Sequence, residues 1–320
     1  MTNQTLLPAL EALSDARDRA SDYLTQAQGD IEQTYQDGLN TLQRDHDERI
    51  HAAQDQFVQD ETAAQSRITT VLERLKYTAA PWTAAGWEGY PAEMSPNALN
   101  GSLRAGTLPQ AFPQFGIEKM PMLIPLLDVG HIIIASQGAA KVKARAIFRS
   151  LIARAVLQLA GAGARFHFID PIAVGANFPF QSLPTSVRGE RVIVEADEID
   201  ATMKTFTDAI RDGGLNAPLV LCAADFPVRW SSDALMRLET VASAGVAKQV
   251  YTILQIDMGR AQQDQIDLDS LMSASSLITV SDDNVTAKVQ GTTYTFDPDE
   301  QPPAPLLNTL LTALVSTLTT

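Results

Sequence analysis

The residues with the clearest capacity for chemistry lie between Ala135 and Val142, which read A-S-Q-G-A-A-K-V. This is the spacing of a phosphate-binding loop, G-x-x-x-x-G-K-[ST], between an apolar strand and a long helical pattern. Alanine stands at both glycine positions and valine at the hydroxyl position, which opposes phosphate cradling and magnesium ligation. Three residues remain as candidates for phosphate contact: Lys141, Gly138 and Ser136. The alternative is an ordinary turn from strand to helix.

Two aspartates could act with such a loop. Asp225 ends the apolar run Leu219 to Ala224, and Asp170 ends the run Arg165 to Ile169. In nucleotide-hydrolysing folds, an acidic residue at a strand end holds magnesium. Both are therefore candidate catalytic residues, although each could equally cap the end of a strand or the start of a helix. The four histidines are too scattered in the sequence for a metal site, so we expect none.

The elements that must position these residues form an alternating pattern from Met120 onward. Apolar strands alternate with helical stretches, which predicts an α/β domain over 120–320 with a mainly parallel, RecA-like sheet and flanking helices. Short strands after Asp257, joined by turn residues, predict β-hairpins near the C-terminus, followed by a closing helix. The expected strands are Met122–Leu127, Ile132–Ala135, Arg165–Ile169, Arg191–Glu195, Leu219–Ala223, Val250–Ile256, Leu277–Val280, Thr286–Gln290 and Thr293–Phe296, and the expected helices are Lys141–Leu159, Ile199–Asp212, Ser232–Ala244 and Leu306–Leu318.

Residues 1–80 have a helical period of apolar residues and are rich in charge. A phase slip around Leu39 to Arg49 leaves two interpretations, an antiparallel helical hairpin or one long helix that forms a coiled coil. We expect this arm to pack on its own domain or to mediate oligomerisation or docking. Proline, glycine and tryptophan dominate residues 81–119, which we expect to form an irregular connector with a candidate short edge strand at Leu103–Leu108. The candidate interaction residues of the arm are Leu10, Leu24, Ile31, Phe57, Ile68, Val71 and Leu75.

Composition and charge exclude several classes of function. The formal net charge of −14 opposes direct binding of DNA by this chain alone. The single cysteine, Cys222, excludes a disulfide framework and favours a cytoplasmic location. No apolar stretch is long enough to insert into a membrane. The one cationic stripe, on the helix after the loop, is either a solvated face or a surface for an acidic neighbour or a phosphate backbone; it comprises Lys141, Lys143, Arg145, Arg149 and Arg154.

An ordered series of segments over residues 75–300 resembles the FtsK/SpoIIIE-domain proteins of bacteria. These place a degenerate nucleotide-binding-like domain ahead of their DNA-translocating motor domains. Two features differ here: the region between the Asp-Pro and Asp-Phe-Pro segments is shorter, and no intact phosphate-binding loop is present. The segments that carry the resemblance are Trp82 with Trp87, Leu103–Gly106, Met120–Leu127, the strand and loop at 131–142, Phe166–Pro171, Gly175–Phe178, Ala224–Pro227 and Gly245–Leu254.

The resemblance implies a non-catalytic accessory or assembly module that works with an ATP-driven DNA translocase. The motor ATPase would act in trans or lie in a missing C-terminal part, and the arm could support a homo-oligomer. No cofactor is then expected. Two alternatives remain open: a weak or atypical NTPase that uses Lys141 and Asp225 with ATP and magnesium, and an α/β protein that binds a small molecule at the carboxyl ends of the strands.

Overall fold

A computed structural model describes residues 6–84, 87, 101–112, 117–213 and 215–319. The chain divides into two units, residues 1–69 and residues 70–320. The elements in chain order are α1 (Leu6–Thr78), β1 (Ser102–Phe112), β2 (Ile117–Pro125), β3 (His131–Ser136), α2 (Lys141–Leu159), β4 (Arg165–Ile169), α3 (Thr185–Arg188), α4 (Ala196–Asp212), β5 (Leu219–Phe226), α5 (Ser232–Ala244), β6 (Val250–Asp257), α6 (Met258–Gln263), α7 (Asp269–Ser273), β7 (Ser275–Val280), β8 (Val285–Val289), β9 (Thr292–Thr295), β10 (Asp297–Pro298) and α8 (Ala304–Leu318).

A seven-stranded sheet forms the centre of the second unit, with strand order β4-β5-β6-β3-β7-β8-β9. The first five strands in this order are parallel, and β8 and β9 continue as antiparallel hairpins. The α/β fold with a mainly parallel sheet, and the C-terminal hairpin region, are therefore confirmed. The parallel pairing brings the carboxyl ends of β3, β5 and β6 to one edge of the sheet.

Helices cover both faces of this sheet because its central strands are apolar on both sides. In β3, Ile132 and Ile134 pack into one hydrophobic cluster together with α2 and α8, whereas Ile133 packs into another with α4 and α5. Successive side chains of a strand point to opposite faces, so a continuous apolar run needs a helix on each side. The two hydrophobic clusters, one on each face of the sheet, therefore hold in place the sheet edge that carries the loop.

Two expectations about strands are wrong. The stretch Met122–Leu127 does not belong to the parallel sheet. Its β2 pairs antiparallel with β1, and the two join β10 in a separate three-stranded sheet. The alternating burial of β2 suits a sheet with one solvated face rather than the interior of a parallel sheet. Arg191–Glu195 forms no strand beyond a single parallel bridge between Ile169 and Ile193.

The irregular connector expected over 81–119 is also shorter than predicted. Strand β1 occupies 102–112, and β2 begins at Ile117. Cross-strand pairing from Ser102 with Pro125 to Phe112 with Ile117 overrides the weak periodicity of this segment. The middle of the connector, 88–100, lies outside the described residues.

The N-terminal arm is one continuous helix and not a hairpin. Helix α1 runs for 73 residues without a break at the phase slip near Leu39 to Arg49. Its large apolar side chains are exposed, among them Leu10, Leu24 and Phe57. Of the other interaction candidates, Ile31 and Val71 are exposed, and Ile68 and Leu75 are half-buried. Whether the arm forms a coiled coil remains a prediction.

Two buried arginines share one carboxylate at the end of α1. Asp299 accepts hydrogen bonds from Arg104 Nε and from Arg154 Nη2, each at 2.8 Å. The same guanidinium groups donate to the carbonyls of Ala79 and Ala80, which immediately follow the helix. Burial lowers the pKa of Arg154 to about 10, and the charge of Asp299 opposes this shift. Arg154 also lies 4.2 Å from the ring centroid of Trp82, so this tryptophan pins the connector to the core.

The stability of this unit should depend on pH through His131. The ring is fully buried, its Nδ1 accepts from the Thr252 N–H at 3.1 Å, and burial lowers its pKa from 6.5 to about 4. The unfolded chain therefore binds more protons between pH 6.5 and pH 4. His131 should contribute about 3 kcal/mol of stability above pH 6.5, which is lost as the pH falls to 4. Urea unfolding measured across this range checks the slope.

The control is a pair of variants. His131→Asn removes the titrating group and should flatten the pH slope, whatever its effect on absolute stability. His51→Asn changes an exposed histidine of the arm and should leave the slope as it is. A slope that is the same in His131→Asn and in the natural protein would contradict the assignment.

Candidate functional site

The loop over residues 135–142 has the local geometry expected between a strand and a helix. Strand β3 ends at Ser136, and a 3-10 turn over Gly138–Ala140 leads directly into α2 at Lys141. Gly138 has φ of +63°, a left-handed conformation that glycine adopts without steric cost. Ser136 is buried, and its Oγ has no hydrogen-bond partner among the described residues. The predicted setting of strand, loop and helix is thus present.

The side chain that replaces the metal-ligating hydroxyl points away from the core. Val142 is 78% exposed, whereas Ala140 is buried. A valine cannot ligate magnesium, and its β-branch has no role in the packing around the loop. This position therefore lacks the hydroxyl that the motif has there.

Lys141 makes an ion pair with Asp257 inside the same domain. Asp257 ends β6, whose register places it beside Ser136 of β3. Its carboxylate also accepts from the Arg260 N–H at 3.2 Å and so caps α6. The lysine that would contact a phosphate is thus paired with the aspartate at the end of β6. Sequence reasoning missed Asp257, although it follows an apolar strand in the same way as Asp225.

Asp225 makes a second pair of this kind with the helix that follows the loop. Its Oδ1 lies 3.0 Å from Arg145 Nη2, and the residue is 6% exposed. Its backbone N–H donates to the buried Gln255 side chain at 3.4 Å. The other carboxylate oxygen, Oδ2, has no hydrogen-bond partner within the described part of the chain. The structure places Asp225 and Lys141 at the same sheet edge, each held by a different partner.

Asp170 lies at this edge too, but its hydrogen bonds order a loop. Its carboxylate accepts from the backbone N–H groups of Ala173, Gly175 and Asn177 at 2.8 to 3.1 Å. The Asn177 side chain donates a fourth bond at 3.0 Å. Asp170 is fully buried, so both oxygens are occupied without a metal or a substrate. The need of these backbone N–H groups for hydrogen-bond acceptors is enough to explain why an aspartate follows β4.

The cationic stripe on α2 is neither a fully solvated face nor a free anion surface. Arg154 is buried with Asp299, and Arg145 pairs with Asp225. Arg149 donates to Asn177 Oδ1 and to Gln301 Oε1, and burial together with the charge of Arg145 lowers its pKa. Lys143 is exposed. Most of the stripe therefore fixes α2 to its own domain.

An open cavity of about 910 Å³ lies along the exposed side of α2. Both signs of charge line it, with Lys143 and Arg149 from the helix facing Asp282 and Glu300. Apolar positions of α2, including Val142 and Ile147, complete the wall. This mixture does not single out an anionic ligand. Within the described residues, no three His, Cys, Asp or Glu side chains are grouped as a metal site, and no helix is long and apolar enough to cross a membrane.

Solved structures share this arrangement of sheet, loop and helices. EssC (ATPases 2 and 3) from Geobacillus thermodenitrificans matches 68% of this chain and 49% of its own, with a TM-score of 0.52 and 11% identity. Thermomonospora curvata EccC (ATPases 2 and 3), solved in complex with a signal sequence peptide, matches 66% of this chain and 42% of its own, with a TM-score of 0.51 and 11% identity. The fold is that of a RecA-like ATPase domain.

This likeness concerns the fold, because identity is 11% in both cases. The chain spans less than half the length of either structure. No family model matches the sequence, and no curated protein matches it. The RecA-like fold thus combines with a loop whose residues do not fit a magnesium nucleotide: Val142 lacks the hydroxyl, and the Lys141 ammonium is paired with Asp257.

The role of Asp170 can be tested by its contribution to stability. Asp170→Ala removes four hydrogen bonds and leaves the buried backbone donors of Gly175 and Asn177 and the half-buried donor of Ala173 unsatisfied, so we expect a loss of about 3 kcal/mol or more in the free energy of unfolding. Asp282→Ala, at an exposed turn, should change it by less than about 0.5 kcal/mol. Equilibrium unfolding in urea measures both. Equal stability of the two variants would show that the loop does not depend on this carboxylate.

Proposed function

We propose that this chain is a non-catalytic RecA-like module that assembles with an FtsK/SpoIIIE-type, ATP-driven DNA translocase. The motor ATPase would be a separate polypeptide or lie in a continuation of this chain. The observation that carries the proposal is the occupation of two strand-end carboxylates by cations of α2, through Lys141 with Asp257 and Arg145 with Asp225.

These pairs oppose nucleotide chemistry in two ways. A phosphate at the loop would have to take Lys141 from Asp257, and a magnesium ion at Asp225 would have to displace Arg145. A buried carboxylate that loses its partner is costly to the fold. With valine in place of the hydroxyl, the motif position that would ligate magnesium offers no ligand in return. These costs favour a scaffold role without nucleotide.

The fold likeness supports a role beside other ATPase domains. EssC and EccC are described as containing ATPases 2 and 3, and this chain spans less than half of each structure. A single RecA-like unit without a working phosphate-binding loop is more compatible with a position next to an active motor than with an activity of its own. The excess of negative charge also favours contact with protein rather than with DNA.

Titration with ATP and magnesium tests the absence of nucleotide chemistry. Calorimetry should detect no saturable binding up to about 1 mM, since even a dissociation constant of 1 mM needs about 4 kcal/mol of net binding energy. The matched variants are Lys141→Ala, at the loop, and Lys143→Ala, the exposed lysine two residues later. Binding by the natural chain that Lys141→Ala abolishes and Lys143→Ala retains would replace the proposal with the weak NTPase.

Association with a motor needs its own measurement. Co-expression with an FtsK/SpoIIIE-type ATPase encoded by a neighbouring gene should give a complex that survives gel filtration. The complex should persist in Lys141→Ala, because the proposed role does not use the loop. Separate elution of the two proteins at micromolar concentration would contradict the assembly role while leaving the nucleotide result intact.

A further inference from the structure

The exposed arm carries an apolar stripe that repeats every 11 residues. A seven-residue (heptad) repeat fits the stripe only in two halves, with a shift between them. Eleven residues make three turns at 3.67 residues per turn, so side chains at this spacing form a nearly straight line along the helix. Two such lines run side by side, because they are offset by seven residues. The large column consists of Leu13, Leu24, Tyr35, His46, Phe57 and Ile68, and the small column consists of Ala9, Ala20, Ile31, Leu42, Ala53 and Ala64.

This stripe has no partner within the arm. The arm is a single helix, and in the large column Leu13, Leu24 and Phe57 are each 67 to 70% exposed. In the small column, Ile31 and Leu42 are each 70% exposed. A long helix gains most of its stability from packing an apolar face, and propensity alone contributes little. The continuity of the stripe through the phase slip implies one partner of similar length.

We propose that two copies of this chain pair through their arms in antiparallel orientation. In an antiparallel pair, the large column of one helix faces the small column of the other. Each of the four alanines then receives a large side chain, at a separation within the usual 8–10 Å interaxial range. Toward both ends of the stripe, the two columns of a single chain are thus complementary in size when one copy is reversed.

Parallel pairing would set each column against itself. Alanine would face alanine at Ala53 and again at Ala64, which leaves unfilled space between the helices. The large column would bring His46 against His46 and Phe57 against Phe57 in the next layers. Such alternation of voids and crowded layers cannot keep a constant distance between two helices. The size pattern therefore favours the antiparallel pair.

The register follows from full overlap of the two columns, which span residues 9–68. With the columns fully overlapped, Leu24 faces Ala53 and Leu13 faces Ala64. The same register places Arg17 near Glu61 at the edge of the interface, where the pair adds a modest attraction. The remaining layers match Phe57 with Ala20, Ile68 with Ala9, Tyr35 with Leu42, and His46 with Ile31.

The area available meets the requirement of a stable dimer. Each copy contributes six exposed large side chains to the stripe, which are Leu13, Leu24, Tyr35, Phe57, Ile31 and Leu42. At roughly 60–120 Å² of apolar surface per side chain, the two copies together bury about 700–1,400 Å² before the alanines and flanking residues are added. A specific interface needs about 1,000 Å². The arm also carries more acidic than basic residues, so salt should strengthen the dimer by screening repulsion.

Disulfide cross-linking of the full chain tests both orientation and register. Leu24→Cys and Ala53→Cys are prepared separately, one with a size tag, and oxidised alone and as a mixture. The mixture should form a mixed disulfide dimer, while each variant alone should not. In the proposed pair, the two copies of residue 24 lie about 43 Å apart at 1.5 Å per residue, and a disulfide needs Cα atoms within about 7 Å. Light scattering of the natural protein should give twice the mass of one chain.

The natural cysteine does not interfere, because Cys222 is buried and burial raises the pKa of its thiol. The matched control mixes Leu24→Cys with Ala64→Cys, which lie one 11-residue repeat out of register, about 16 Å apart. Rapid cross-linking of Leu24→Cys with itself, preference for the control mixture, or a single-chain mass at tens of micromolar would each overturn the proposal. Its failure is distinguishable from failure of the proposed function, since the arm can pair whether or not nucleotide binds.

Discussion

The second unit depends on how α2 is held against the carboxyl ends of the central strands. Lys141 meets Asp257 at the end of β6, and Arg145 meets Asp225 at the end of β5. In a nucleotide-binding relative of this fold, the same edge would be kept open for phosphate and metal. Here the cations and carboxylates that would otherwise bind a ligand form ion pairs with one another. Two ion pairs within the domain thus hold α2 against this edge.

Much of this architecture could be predicted from the sequence because local patterns coincide with tertiary structure. Strand β3 is a short apolar run before a long helical pattern, and α2 occupies Lys141–Leu159 as predicted. Parallel strands that are apolar on both faces leave a strong signal. The candidate residues Lys141, Asp170 and Asp225 follow from the same logic, since strand ends in such a sheet meet at one edge.

The remaining features could not be predicted, because they depend on contacts between distant residues. Strand β2 lies in a separate sheet with β1, and the third strand of that sheet, β10, pairs with β1 at Gly106 opposite Pro298, far along the chain. The partners of Lys141 and Arg145 lie 116 and 80 residues further along the chain. No local sequence pattern shows that the Asp170 carboxylate accepts its hydrogen bonds from the loop that follows it. Sequence periodicity thus located the candidate site at this edge of the sheet, but not which charged side chains pair with one another there.

The buried pair of arginines has a consequence for synthesis of the protein. Arg104 and Arg154 share Asp299, which is separated from them by 195 and 145 residues. Until a ribosome has made the chain as far as Asp299, both guanidinium groups lack their counter-charge, and the sheet of β1 and β2 lacks its third strand. Contacts of such long sequence separation slow folding. The carbonyls of Ala79 and Ala80 can therefore meet arginines that are already paired with Asp299 only after the segment around residue 299 has been made.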